Sequence, residues 1–261
     1  MDQPMSRCLP SSVALLLSLL LLAGSPAAVL ATDLTIYTEN SPPANFEQDG
    51  HLTGSSTEMV LEMLKRSGLT AEITVAPWPR GYRLTQQEPD TALFSTTRTP
   101  EREDLFQWIG PLLRITWDFF TLRDSNLTIT SLDDAREVGR IGANREDAKC
   151  QFLLQKGFRN VDPADDIAAT MRKLEAGRLD MIISSNLAIS DYARLAGVAA
   201  DSLKPIYQIR QADLYLALSP GTRPDIVKRL RQAYAAMRKD GTFKAIYARW
   251  YPGIEPPPQT P

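Results

Sequence analysis

The chain has 261 residues, 43% hydrophobic and 23% charged, with a formal net charge of −2. That balance belongs to a globular protein with its own core; it excludes a disordered chain and shows no basic excess of the kind that holds nucleic acid. One histidine, His51, and two cysteines, Cys8 and Cys150, leave little material for a histidine metal site, a Ser-His-Asp triad or a disulfide framework.

The first thirty residues differ from the rest. Arg7 precedes an uncharged run, VALLLSLLLLA (Val13–Ala23), and small residues ending in Val29-Leu30-Ala31 follow. The run is short for a bilayer span and ends in a small-residue cleavage pattern, so residues 1–31 are read as a secretory signal peptide cut after Ala31. Cleavage removes one acid (Asp2) and one base (Arg7), leaving the net charge unchanged, and it removes Cys8. Cys150, followed by Phe152, Leu153 and Leu154, then reads as a buried apolar residue in a helix.

Strand and helix patterns alternate beyond the leader. Leu34–Tyr37 predicts a strand, Phe46–Leu52 a hairpin-like turn around Asp49-Gly50, and Thr57–Arg66 a helix capped by Ser56 or Thr57 and stopped by Gly68. Ala71–Val75 and Ala92–Thr96 predict strands. Thr99-Pro100-Glu101 then has the form of a helix start: a capping hydroxyl, a proline whose missing N–H loses nothing there, and an acid at the positive dipole end. Arg102 breaks that pattern by placing a cation where the dipole favours an anion. A bound anion would relieve the misfit; an ion pair with Glu101, Glu103 or Asp104 is the other reading.

A long β-rich run, Ile115–Leu122, comes next, then a short strand, Val138–Ile141. Helices are predicted over Glu146–Lys156 and Ile167–Glu175, the latter stopped by Gly177, and strands over Asp180–Ser184 and Leu214–Leu218. Pro224–Lys239 is the most regular helix, with Ile226, Val227, Leu230, Ala233, Tyr234 and Met237 at three- and four-residue spacing. Phe243, Ile246, Tyr247, Trp250 and Tyr251 form a further apolar face, and the proline-rich tail Pro252–Pro261 predicts loose chain. Strand–helix–strand units at this spacing predict a mainly parallel α/β sheet with helices on both faces. Two such sets without a linker predict two lobes joined by strands, with a hinge and a cleft.

Nothing resembles GxGxxG after a strand, a phosphate-cradling loop, HExxH or CxxC. Asp133-Asp134 and Asp165-Asp166 pair carboxylates, but each precedes a helix-like segment where capping accounts for them. No catalytic residue, metal ligand or cofactor is assigned. An enzyme would have to rest on carboxylate chemistry without a recognisable motif.

Four stretches nonetheless form a recognisable series: TIYTENSPPANFEQDGHLTG before the Thr57 helix, ALFSTTRTPEREDLFQWIGP (Ala92–Pro111), LEAGRLDMIISSNLA (Leu174–Ala188), and DIVKRLRQAYAAMRKDGTFKAIYARWY near the end. In this order and spacing the mature chain, nearly end to end, resembles the periplasmic solute-binding proteins of polar amino-acid uptake, extracellular solute-binding family 3, with the type II fold. That resemblance implies one lobe from Thr32 to Leu112 plus Tyr215–Pro261 and a second over residues 113–214. The hinge crossings would lie near 112–116 and 211–215, and ligand would be enclosed as the lobes close.

Position by position, the resemblance implies that Arg102 pairs with a ligand α-carboxylate, for which a planar guanidinium offers two parallel donors. Ser95 and Thr97 fall where the same loop contacts ligand, Glu39 near an acid that meets the ligand ammonium, and Trp78 and Tyr82 where apolar groups line the side-chain pocket. Packing between Pro77 and Pro79 is the other reading of Trp78. Asn144 and Arg145 fall in a hydroxyl-bearing loop at a helix start whose N–H groups help hold the carboxylate; a Gly-Thr-Thr-like sequence is replaced here by Ala143-Asn144-Arg145.

Two departures stand out. Ser185 replaces an aspartate that grips the ammonium, and Arg98 replaces a neutral residue between two threonines. The lost acid removes a charge-assisted bond worth ~1.5–3 kcal/mol, so the sequence argues for carboxylate recognition and leaves the α-amino group open. The resemblance implies a periplasmic, monomeric binding protein that needs no cofactor and delivers a small carboxylate, an amino acid or a relative, to an ABC-type permease. Two other functions use the same fold: a cyclohexadienyl dehydratase-like enzyme, and a ligand sensor docking to a membrane receptor.

Overall fold

A computed structural model describes residues 32–259, so the leader expected over residues 1–31 lies outside the described residues. In chain order the strands are β1 (Leu34–Thr38), β2 (Phe46–Gln48), β3 (His51–Thr53), β4 (Ala71–Val75), β5 (Thr91–Thr97), β6 (Gln107–Leu122), β7 (Ile141–Asn144), β8 (Val161–Ala164), β9 (Met181–Ser185) and β10 (Leu203–Leu218). The helices are α1 (Ser55–Ser67), α2 (Trp78–Gln87), α3 (Leu132–Glu137), α4 (Ala148–Gln155), α5 (Ile167–Glu175), α6 (Ile189–Ala196), α7 (Pro224–Lys239) and α8 (Thr242–Trp250). No helix among the described residues is long and apolar enough to cross a membrane.

Eight of these strands form one sheet in the order β4-β1-β5-β10-β6-β9-β7-β8. Its axis is the antiparallel pair β6 and β10, each of 16 residues, paired from Leu203↔Leu122 to Leu218↔Gln107 with three shifts of register between. β5 pairs with one end of β10 (Leu214–Leu218), and β9 with the far end of β6 (Trp117–Phe120). The sheet therefore has two halves that share only these two strands. β1 lies parallel to β4 and β5 in one half, and β7 parallel to β8 and β9 in the other. The expected parallel pairing holds for these outer strands. The middle is antiparallel because β6 and β10 run through both halves in opposite directions.

Burial follows the same division. Ile36, Met63, Phe94, Leu112, Leu216, Ile226, Leu230 and Phe243 belong to one core, built from β1, β5 and the stripes of α1, α7 and α8. Phe119, Ile141, Leu153, Met181 and Ile183 form a second; Phe120, Met171, Leu174 and Ile182 form a third, both in the half with β7 to β9. This is a two-lobed type II α/β fold. Arg114 of β6 grips Asp213 of β10 through two bonds, 2.7 and 2.9 Å, where the paired strands pass between the halves.

Local chemistry accounts for the departures from the predicted bounds. α1 starts at Ser55 behind Gly54, not at Thr57, because the carbonyls of Pro43 and Ala44 accept the first helical N–H groups from Ser55, Ser56 and Thr57. The strand expected over Val138–Ile141 begins only at Ile141. Before it, Ser131 and Asp134 close a capping box that makes Leu132–Glu137 a helix. α4 begins at Ala148, since Glu146 sits at φ 58, outside helical space, and Asp147 is the cap. The tail is not loose throughout: Pro257 is buried and its carbonyl accepts from Arg238 Nη2 at 2.8 Å. Cys150 is a buried free thiol, as its apolar setting predicts.

Candidate functional site

The loop after β1 is fixed by its neighbours. Ser41 and Asn45 pair through backbone bonds, and the next carbonyls in that loop cap α1. Asn45, wholly buried, donates from Nδ2 to the Glu39 carbonyl at 2.6 Å and accepts from Ser95 Oγ through Oδ1. Ser95 itself adopts φ 59 near the end of β5, which turns its hydroxyl toward this loop. A rigid Glu39–Asn45–Ser95 connection results, with Ser41 at its edge.

Arg102 follows in a short, two-turn 3₁₀ helix, Pro100–Leu105, behind Thr99. Only 1% of its surface is exposed. Its guanidinium carbon lies 4.7 Å from the Tyr82 ring centre and 5.7 Å from that of Trp78, and the two rings stack at 5.7 Å. α2 presents both rings one turn apart, on the face where Gly81 packs against Tyr37 and Leu93. Burial pushes the Arg102 pKa down, countered by Tyr82 and by the acids Asp147, Glu101 and Glu146.

The facing wall comes from the β7–α4 connection and α6. Arg102 Nη2 donates to the Glu146 carbonyl at 2.7 Å, and Nε and Nη2 both donate to Gln151 Oε1 at 3.1 and 3.0 Å. Nη1 is buried without a hydrogen-bond partner. Trp78 Nε1 donates to the same Glu146 carbonyl at 3.1 Å, and Ser41 Oγ meets Tyr192 Oη at 2.5 Å. Asp147 caps α4 by accepting from the Lys149 N–H, and Lys149 Nζ returns to its carboxylate at 2.9 Å. Glu39 borders this pair. Part of its residue surface is reachable, but the carboxyl itself is enclosed; burial pushes its pKa up to about 8, with the Asp147 charge adding to the rise and Lys149 opposing it. The same enclosure, with Glu39 close by, raises the Tyr192 phenol.

The structure thus brings Arg102, Trp78 and Tyr82 into contact and joins Glu39 to Ser95. Thr97 is buried at the end of β5, paired with Leu214. Asn144 ends β7 with a buried, unpartnered Oδ1, and Ser185 is buried at the end of β9, its hydroxyl accepting from the Ala188 N–H at 3.4 Å. Arg98 and Arg145 lie apart from this group. Arg98 pairs with Glu103 at 2.5 Å and lies over Trp108 and Tyr215. Arg145 is exposed and bonded to Asp165 at 2.5 Å. The helix start facing Arg102 is Glu146-Asp147-Ala148, three residues beyond the Ala143-Asn144-Arg145 expected from the resemblance. Asp147, Lys149, Gln151, Ser41, Asn45 and Tyr192 join the site without having been singled out. Only Asp147 carried a sequence signal, as an acid at a helix start. Chemically, the arrangement offers a buried cation with one unused donor group, walled by two aromatic rings; by the Asp147–Lys149 pair it adds the Glu39 carboxyl, protonated at neutral pH.

The comparisons agree with this architecture. A relative named as the amino-acid-binding protein AabA of Dichelobacter nodosus is 26% identical over 227 residues, covering 83% of this chain and 86% of that protein. The L-cystine-binding protein TcyJ of Escherichia coli (strain K12) is 25% identical over 217 residues, 80% of this chain and 79% of that one. A crystallised histidine kinase sensor domain, described as similar to periplasmic binding proteins, superimposes with a TM-score of 0.77 at 20% identity, covering 86% of this chain and 99% of the other. The sequence profile of the bacterial extracellular solute-binding proteins, family 3, matches residues 34–253, and the chain belongs to that family.

Proposed function

We propose that this chain is a periplasmic binding protein that captures a small carboxylate, an amino acid or a relative, and presents it to an ABC-type permease. One observation carries the reading: Arg102, 1% exposed and walled by Trp78 and Tyr82, keeps a buried Nη1 without a partner. A guanidinium held in such a place favours an anion. Relatives that bind amino acids support the ligand class. The lobes are Thr32–Leu112 with Tyr215–Pro261, and residues 113–214. The crossings near 112–116 and 211–215 serve as the hinge, supported by the Arg114–Asp213 pair between the long strands. Thermal-shift screening against amino acids, dicarboxylates and other small organic acids tests the claim. If no carboxylate raises the melting temperature, it fails.

One observation favours a second reading, a periplasmic dehydratase of the cyclohexadienyl type. A carboxyl poised near pH 8, as Glu39 is, is suited to proton transfer. Turnover of prephenate or arogenate by the purified protein, lost in Glu39→Gln, would establish the enzyme. A lack of turnover alongside tight carboxylate binding leaves the transport reading in place.

A further inference from the structure

Gln151 sits in the second turn of α4, and its amide oxygen fills the mouth of the Arg102 fork, accepting from Nε at 3.1 Å and Nη2 at 3.0 Å. A bidentate carboxylate needs two adjacent donors on one edge of the guanidinium. The Nε/Nη2 edge belongs to Gln151, and Nη2 is further engaged by the Glu146 carbonyl at 2.7 Å. Nη1 alone is unpartnered, and Arg102 is almost wholly buried. No bidentate edge is therefore open to a ligand while Gln151 keeps this position.

We propose that Gln151 is an internal stand-in for the ligand's carboxylate: its amide oxygen occupies the Arg102 edge, and a carboxylate ligand binds by displacing it. The proposal rests on Arg102 being the carboxylate anchor. The chemistry suits a displaceable partner. A buried guanidinium without acceptors is costly, so an internal acceptor stabilises the protein; a neutral amide oxygen bonds it less strongly than a carboxylate, so the ligand wins the exchange. Gln151 also borders a small crevice with Thr99, Glu101, Trp117, Phe152 and Gln155, so its side chain meets open space on that side. Its neighbours Cys150 and Phe152 pack into the core clusters, so the side chain moves while the helix stays. Gln151 thereby sets affinity: it raises the threshold a ligand must pass and favours ligands that can take both guanidinium donors.

Two substitutions of opposite expected sign test this. Gln151→Leu removes the competitor with little change in volume, and Gln151→Glu places a lasting carboxylate in the fork. Calorimetric titration would use whichever of L-arginine, L-glutamine or L-cystine most raises the wild-type melting temperature, with acetate as a bare carboxylate probe. Gln151→Leu should bind about tenfold tighter or more, and Gln151→Glu at least about tenfold weaker with a higher ligand-free melting temperature. If both variants bind more weakly, Gln151 is a ligand contact and the proposal falls. Unchanged affinity in both also overturns it. A ligand-free double-mutant cycle between Arg102→Met and Gln151→Leu reads the contact without any ligand: non-additive shifts in melting temperature support it, and additive shifts overturn it. Failure of every probe to bind wild type and Gln151→Leu alike overturns the amino-acid reading of the cleft, a result separate from the cycle.

Discussion

Replacing Glu39 by glutamine should stabilise the protein in a pH-dependent way. In the folded chain, enclosure and the nearby Asp147 charge raise the Glu39 pKa from 4.5 to about 8. Once unfolded, the carboxyl ionises near 4.5. Between those values the unfolded state holds fewer protons than the folded one, so stability falls as pH rises, by about 1.4 kcal/mol per unit for one proton. Below pH 4.5 the penalty vanishes, and above pH 8 it is constant. At pH 7 it amounts to about 3 kcal/mol, a sizeable part of the stability of a domain. Glu39→Gln keeps the shape, retains the backbone bond from Asn45, and removes the titration. Denaturant unfolding of both proteins at pH 5, 7 and 8.5 should show stabilities close together at pH 5 and a gap widening to about 3 kcal/mol at pH 7. Parallel curves with a constant gap would refute the reasoning, because they would mean Glu39 ionises alike in both states.

The other substitutions and reagents probe separate links. Arg102→Met should abolish carboxylate binding while shifting the melting temperature by only a few degrees, because a buried charge is exchanged for an apolar chain of similar length; calorimetry and thermal unfolding check both halves. Arg98→Ala should change affinity by no more than about threefold, since its partner is Glu103 outside the site; titration with the same ligand compares the two arginines. Cys150, buried with its thiol pushed up to about 11, should resist iodoacetamide at pH 8 in the native protein and react once unfolded, as mass spectrometry would show. Gly54→Ala should destabilise by about 2 kcal/mol or more, because φ there is +117 and a Cβ would lie 2.4 Å from the Ala44 carbonyl oxygen; denaturant unfolding measures it, and weaker ligand binding should accompany the loosened 41–45 loop.

Segments governed by local rules were legible in the sequence. Ala71–Val75, Ile167–Glu175 and Pro224–Lys239 have the bounds their periodicity and stop residues predict. The antiparallel centre was not legible, since β6 and β10 pair residues 81 to 111 positions apart and neither strand announces its partner. Arg102 could be singled out because it violates the helix-start pattern around it, although the structure makes that segment a short 3₁₀ helix. Arg98, four residues earlier, ends on the opposite side. An aromatic line of Trp78, Tyr82, Phe106, Trp108 and Tyr215, with ring centres 5.3 to 5.9 Å apart, separates the two guanidinium groups. Gln151, Lys149 and Tyr192 break no local rule, so only the approach of the two halves reveals them. Asp147 differs: an acid at a helix start is a local signal, but one that capping alone satisfies, so it does not point to the site.

Charge at the site decides which kind of carboxylate fits. Ser185, taken alone, implies that an acid for the ligand's ammonium has been lost. The structure returns a carboxylate nearby in Asp147, but Lys149 neutralises it, and Glu39 carries a proton below about pH 8. With Arg102 added, the enclosed groups sum to one positive charge at neutral pH, which suits a carboxylate without an amine. A zwitterion must draw the proton from Glu39 before its ammonium has an unpaired acid to meet. The two ligand classes therefore differ in the sign of their pH response. Affinity for an α-amino acid should rise as pH approaches 8 and flatten above it, until the ligand's own amine deprotonates. Affinity for a simple carboxylate should fall over the same interval, as the Glu39 charge cancels the net positive charge of the enclosed groups. Titrations at pH 6, 7 and 8, repeated with Glu39→Gln, distinguish the classes. A slope that persists in Glu39→Gln would trace the pH response to another group and remove Glu39 from ligand recognition.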